Sequence, residues 1–214
     1  MCAFSLPWPD DIPFKESEAL REACVNAWRR ELLSGFNGNV SMRVRDGKAM
    51  LITRSGAAKG YLSEKDLCVV DIATGELLAG GKPSSEGGMH LEIYREQPAA
   101  LAVVHTHPPR MLALGALLPV GKGEEKRLDI PVYEAQVLRD SLKILPDFEP
   151  GTQYLAKAAG AGSQTHKALW MERHGLAVWE SSLTAALALS EELEHLAGIQ
   201  LHMLSCRSIA QNNS

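Results

Sequence analysis

Between residues 39 and 53 the chain spells out a hairpin, and that hairpin limits what the rest can fold into. "NVSMRVR" alternates apolar and polar residues, Asp46 and Gly47 supply a turn, and "KAMLIT" returns. Asp-Gly tolerates the positive φ of a tight turn, so two antiparallel strands are predicted here. Further on, "LCVVDIATGELL" reads as strand, turn and short strand, "ALAVVH" as a buried strand, and "ALWMERHGLAVW" as a strand pair. "LDIPVYEAQV" reads as mostly extended.

Helical patterns fall between these strands. Over residues 15–34 Leu20, Ala23, Cys24, Ala27, Trp28 and Leu32 recur at spacings of three, four or one, with Gly35 as the stop. A second helix is expected from near Ser84 and Ser85 through "EGGMHLEIYRE", a third in "PRMLALGALL", and a fourth after "PGT". The last opens near Ser181 and Ser182, with Leu183, Ala186, Leu187, Ser190, Leu193, Ala197 and Leu201 on one face. Strands and helices mix without regular βαβ alternation. That favours an α/β fold with a mixed sheet covered by helices over a doubly wound parallel sheet.

The chain has 214 residues, 45% hydrophobic and 22% charged, enough for one domain with a substantial core. The expected layout is an N-terminal extension over 1–14, a single domain over 15–204 and a frayed tail over 205–214. A formal charge of −4, with both signs interspersed, argues against a nucleic-acid partner. "MCAFSLPWPDDIP" lacks a basic n-region and is broken by prolines, unlike a signal peptide. No apolar run approaches the ~20 residues that cross a bilayer. Cys2, Cys24, Cys68 and Cys206 form no CxxC pair, which fits free thiols in a reducing cytoplasm. Cys24 and Cys68 are expected in the core.

Where "AALAVV" gives out, "HTHPP" follows. His105 and His107 alternate around Thr106, so on a strand both project from one face and can chelate one divalent ion. A catalytic zinc usually takes three protein ligands and leaves a position open. Among the remaining histidines, His174 in "ERHGLAV" is the best third ligand, because a glycine turn between strands brings it beside the sheet. His195 and His202 share a helix face at i and i+7 and are its rivals.

"KPSSE" (Lys82 to Glu86) sets two hydroxyls and a carboxylate at an expected helix start. Ser84, Ser85 and free main-chain N–H groups there suit an anion such as phosphate, and the bland alternative is an ordinary N-cap. "GFNGNVS" and "TRSGAAKG" are glycine loops flanking strands, each either a turn or a nest of N–H groups for an anion. Converging on a metal site, these groups would suit enediolate chemistry: a Lewis acid, a proton-shuttling carboxylate and a phosphate anchor.

The ordered series "GNVS", "SG", "KPSSE", "HTH" and "HG" resembles the motif series of the class II aldolase/adducin family, over nearly the whole chain. The resemblance implies a three-layer α/β/α fold with a central mixed, largely antiparallel sheet. It implies a C4 homotetramer with sites at subunit interfaces. It implies His105, His107 and His174 as ligands of zinc or another divalent metal, and Glu86 as the acid–base carboxylate. Gly38, Asn39, Ser55, Gly56, Ser84 and Ser85 would hold the substrate phosphate, and Tyr133 of a neighbouring subunit would handle the proton on the aldehyde side. The implied reaction is metal-dependent cleavage of a ketose 1-phosphate to dihydroxyacetone phosphate and an aldehyde, with epimerase, dehydratase and decarboxylase variants in the same family. A non-catalytic adducin-like module is the rival reading, and the three histidines with Glu86 speak against it.

Overall fold

The computed structural model describes residue 12 and residues 14–212. The hairpin is the start of the sheet: β1 (Asn39–Val44) pairs antiparallel with β2 (Ala49–Thr53). The two-residue Asp-Gly turn is in fact a four-residue loop, 45–48, in which Arg45, Asp46 and Gly47 all have positive φ. β3 (Leu67–Asp71), β4 (Leu77–Gly80), β5 (Ala102–Thr106), β6 (Leu142–Leu145), β7 (Ala168–Met171) and β8 (Gly175–Glu180) complete one sheet. Its order is β4-β3-β2-β1-β5-β8-β7-β6. Only β6–β7 is parallel among these pairings, so the sheet is mixed and largely antiparallel.

Side chains alternate across this sheet and supply two cores. Leu51, Val104 and Val178 pack on one face with Leu20 of α1 (Phe14–Arg29), Leu114 of α3 (Pro109–Leu117) and Leu193 of α6 (Leu183–Asn212). Their neighbours Ile52, Val103 and Ala177 face the opposite way, against Ile93 of α2 (Gly87–Glu96) and Leu155 of α5 (Gln153–Ser163). The period of two thus turns one sheet into the middle of an α/β/α sandwich.

Several boundaries differ from those the sequence suggests. α1 ends at Arg29 rather than near Ser34. Glu31 adopts a φ of +61°, and the N–H groups of Leu32 and Leu33 both return to the Ala27 carbonyl, at 3.0 and 3.3 Å. That turn lets the adjacent Leu32 and Leu33 both bury. α2 begins at Gly87 with Glu86 as its N-cap, so Ser84 and Ser85 lie in the turn before it.

The segment expected to be mostly extended contains α4 (Tyr133–Asp140). Ala135 is buried in α4, and Val132 and Leu138, three residues to either side, pack on the same core. Three-residue spacing onto that core outweighs the strand preference of Val132, Tyr133 and Val137. At the other end, α6 carries helix through residues 205–212.

Candidate active site

The histidines come together where β5 and β8 lie side by side. His105 is fully buried in β5, opposite Asn39 of β1 and Ala177 of β8. Its Nδ1 lies 3.1 Å from the Leu176 carbonyl oxygen. A carbonyl only accepts, so Nδ1 donates there and Nε2 is the ring nitrogen left to the cluster. β5 stops at Thr106, but His107 is held by its own N–H, which donates to the Leu32 carbonyl at 2.9 Å. Its Nε2 lies 3.0 Å from Nε2 of His105. His174 sits in the β7–β8 turn, where Arg173 takes a φ of +55° and the His174 N–H donates to Met171 at 3.1 Å. The three ring centroids lie between 4.7 and 5.3 Å apart.

Two glycines make this approach sterically feasible. A Cβ on Gly175 would stand 2.3 Å from the Thr106 carbonyl oxygen and 3.2 and 3.3 Å from ring carbons of His105 and His107. Gly38 has a φ of +72°, and a Cβ there would meet the His105 carbonyl oxygen at 2.6 Å. The "HG" and "GN" pairs therefore have a geometric reason.

Glu86 stands among the rings. Its Oε2 is 3.2 Å from His105 Nε2, its Oε1 is 2.9 Å from His174 Nε2, and Asn39 Nδ2 donates to Oε2 at 2.9 Å. Burial pushes the carboxyl up, but the charge and hydrogen bonds of His105 and His174 outweigh it and hold Glu86 well below the usual carboxylate range. His107 is pushed down to about 3, first by burial and then by the charges of His105 and His174. A neutral His107 ring offers a lone pair. Two Nε2 atoms at 3.0 Å need a proton or a cation between them. With one ligand atom from each of His105, His107 and His174 within 4.8 Å of the others and a carboxylate alongside, the donor set fits a divalent ion.

Beside this cluster lies an open cleft of about 290 Å³. Gly38, Asn39, Ser55, Gly56, Ser84 and Ser85 all line it, together with Glu86, His107 and His174. Main-chain pairing draws its loops together: the Ser55 N–H donates to Lys82 at 3.0 Å and the Ser84 N–H to Thr53 at 3.2 Å. Those two N–H groups are thereby used, and the Ser84 hydroxyl accepts from the Glu86 N–H at 3.3 Å. The side-chain amide of Asn39 is likewise engaged, by Glu86 and His90.

Sequence reasoning passed over Arg54 and Lys59, which also line the cleft, Arg54 paired with Asp66 at 2.8 Å. Lys59 is buried, and its Nζ donates to Ala57 at 2.7 Å and Phe36 at 3.2 Å, tying two cleft loops together. Burial lowers its pKa, opposed by Cys24 and Asp66. The available signal was a cation closing each side of "SGAA". Tyr133, by contrast, is 97% exposed at the start of α4 and lines a different concavity with Asp129, Gln136 and Arg139. His195 and His202 are exposed on α6 and do not join the cluster.

A mixed α/β/α sandwich with a tri-histidine cluster, a carboxylate and an adjoining polar cleft frames a site that could hold a metal ion. Residues 18–201 match the model of the Class II Aldolase and Adducin N-terminal domain. The chain belongs to that family, whose class II aldolases depend on a metal, and it is an enzyme of the class II aldolase type.

It is 34% identical over 182 residues to an L-fuculose phosphate aldolase of Methanococcus vannielii, covering 85% of this chain and 93% of that one. It is 33% identical over 170 residues to a 3-oxo-tetronate 4-phosphate decarboxylase of Haemophilus influenzae, covering 79% of each. Among solved structures it resembles the L-fuculose-1-phosphate aldolase of Thermus thermophilus, with a TM-score of 0.77, 28% identity and coverage of 92% and 97%. YgbL of Klebsiella pneumoniae, described as a putative aldolase/epimerase/decarboxylase, gives a TM-score of 0.77 at 28% identity, covering 88% of this chain and 89% of that one. Among the described residues no helix is long and apolar enough to cross a membrane.

Proposed function

We propose that this protein is a zinc-dependent sugar-phosphate lyase that cleaves a ketose 1-phosphate to dihydroxyacetone phosphate and an aldehyde. The observation that carries the reading is the placement of Glu86, within 3.2 Å of two cluster histidines and on the wall of the cleft between them and the seryl loops. A carboxylate between a cation site and an anion site stands where a proton must move on a phosphorylated carbon chain. The L-fuculose phosphate aldolase relatives support the substrate class.

In this reading His105, His107 and His174 hold the ion, which supplies a Lewis acid for the negative charge left on the substrate's carbonyl when the carbon–carbon bond breaks. Ser84, Ser85, Ser55 and Gly56, with Gly38, Asn39 and the charges of Arg54 and Lys59, hold the phosphate and keep the substrate in register. Glu86 returns a proton to the carbon left behind in cleavage and removes it in condensation. Zinc suits three imidazoles, although other divalent ions accept the same donors. A homotetramer in the cytoplasm completes the reading, with exposed Tyr133 and Val137 offering apolar surface to a neighbouring subunit.

A second reaction has specific support. Loss of carbon dioxide from a 3-oxo-tetronate 4-phosphate leaves the same three-carbon enediolate and needs no group on an aldehyde side. A relative carries the decarboxylase name. The zinc-loaded protein should therefore be offered L-fuculose 1-phosphate and 3-oxo-tetronate 4-phosphate in parallel. Dihydroxyacetone phosphate with an aldehyde from the first supports the aldolase. The same phosphate with carbon dioxide, from the second substrate alone, assigns the decarboxylase instead. Dihydroxyacetone phosphate from neither overturns both.

A further inference from the structure

Beneath Glu86 an unbranched chain of side chains runs into the core. Asn39 Nδ2 lies 2.9 Å from Glu86 Oε2, and His90 Nε2 lies 2.5 Å from Asn39 Oδ1. Ser41 Oγ lies 2.7 Å from His90 Nδ1 and 2.9 Å from the Tyr94 hydroxyl. All five residues are buried. Two periodicities produce the alignment. Asn39 and Ser41 are two apart on one face of β1, and Glu86, His90 and Tyr94 are four apart along the start and one face of α2. The Arg43 guanidinium covers the Tyr94 ring at 4.8 Å and anchors the far end.

The donor inventory gives this chain one direction. Ionised Glu86 only accepts, so Asn39 must spend its NH₂ there and turn its Oδ1 towards His90. Nε2 of His90 must then carry the proton. Burial, and after it the charge of His105, pushes His90 down to about 3, so the ring is neutral and Nδ1 is an acceptor. Ser41 donates to Nδ1, and the Tyr94 hydroxyl donates to Ser41. Reversing any member leaves two buried donors or two buried acceptors face to face.

We propose that His90 is a positioning residue for Glu86: it locks the Asn39 amide in the orientation that grips Oε2 and leaves Oε1 towards His174. The inference rests on the acid–base role proposed for Glu86. It moves the Asn39 side chain from the phosphate cradle to the proton-transfer apparatus, and gives work to a histidine that neither binds metal nor touches the cleft.

Two measurements on the full chain test it. Nitrogen-15 NMR of the zinc-loaded wild type should show the His90 ring protonated at Nε2 and bare at Nδ1, and the opposite tautomer overturns the relay. Kinetics of His90→Phe should show kcat reduced at least ~10-fold with KM within about threefold, because a displaced acid–base group loses rate rather than binding. His90→Gln, which can still donate to Asn39 and accept from Ser41, should recover most of the loss. An unchanged kcat in His90→Phe, or a KM that rises as much as kcat falls, overturns the positioning role. The tautomer is read on the wild type and needs no variant to fold. If the wild type turns over neither substrate, the functional reading has failed by itself, and the tautomer still decides the relay.

Discussion

At the histidine end of the cleft, His105 and Asn39 are fixed by strand register, His174 by a tight turn, and Glu86 by contacts with both rings and with Asn39. At α4, Tyr133 is 97% exposed and Val137 is 70% exposed, with Ala135 the helix's buried residue. The first region is made by the chain's own sheet, and the second presents apolar side chains to whatever lies beside it. An acid–base carboxylate and a metal site tolerate little displacement, so they belong on rigid elements. A group that acts across a subunit boundary needs an exposed side chain instead.

The sharpest way to break this contrast is Glu86→Gln. It keeps the volume and removes the proton carrier, so turnover should fall by at least ~100-fold with KM little changed. Steady-state kinetics check it, and a variant that turns over normally would remove Glu86 from the chemistry. Next in size is Gly175→Ala. Its Cβ would lie 2.3 Å from the Thr106 carbonyl oxygen, so β8 must shift away from β5. The expected loss is about 1–3 kcal/mol in urea melts, accompanied by weaker metal retention.

Tyr133→Phe sharpens the other side. Stability should stay within about 0.5 kcal/mol, because the residue is exposed. Turnover separates the reactions: a fall of ~10-fold or more fits an aldolase that borrows this hydroxyl, and no change fits a decarboxylase. The smallest effect concerns thiols. Burial first, opposed by Lys59, leaves Cys24 pushed up to about 12, and burial likewise leaves Cys68 pushed up to about 11. Neither forms appreciable thiolate at pH 8, so exposed Cys206 should react with a thiol reagent far faster than both, as peptide mapping would show.

What could be read in the sequence follows the same division. His105 and Asn39 lie in patterns of period two that fix both the strand and the face, and "HG" marks a turn where only glycine clears the Thr106 carbonyl. Local chemistry and tertiary placement agree there. Around Tyr133 they conflict, because "VYEAQV" carries strand-forming residues while burial of Ala135 against a distant core decides for helix. Lys59 is only faintly marked, for a different reason. A cation in a loop looks like solvated surface until folding buries it against Ala57 and Phe36. The relay through His90 needs a strand and a helix placed face to face, which no single stretch of sequence states.

The proposed reaction requires a catalytic divalent ion held by His105, His107 and His174. Elemental analysis of the wild type and His174→Ala, each shown folded by circular dichroism, tests it most directly. About one divalent ion per wild-type chain is expected, with a marked loss in the variant. A folded wild type that takes up no metal even when zinc is supplied would contradict it.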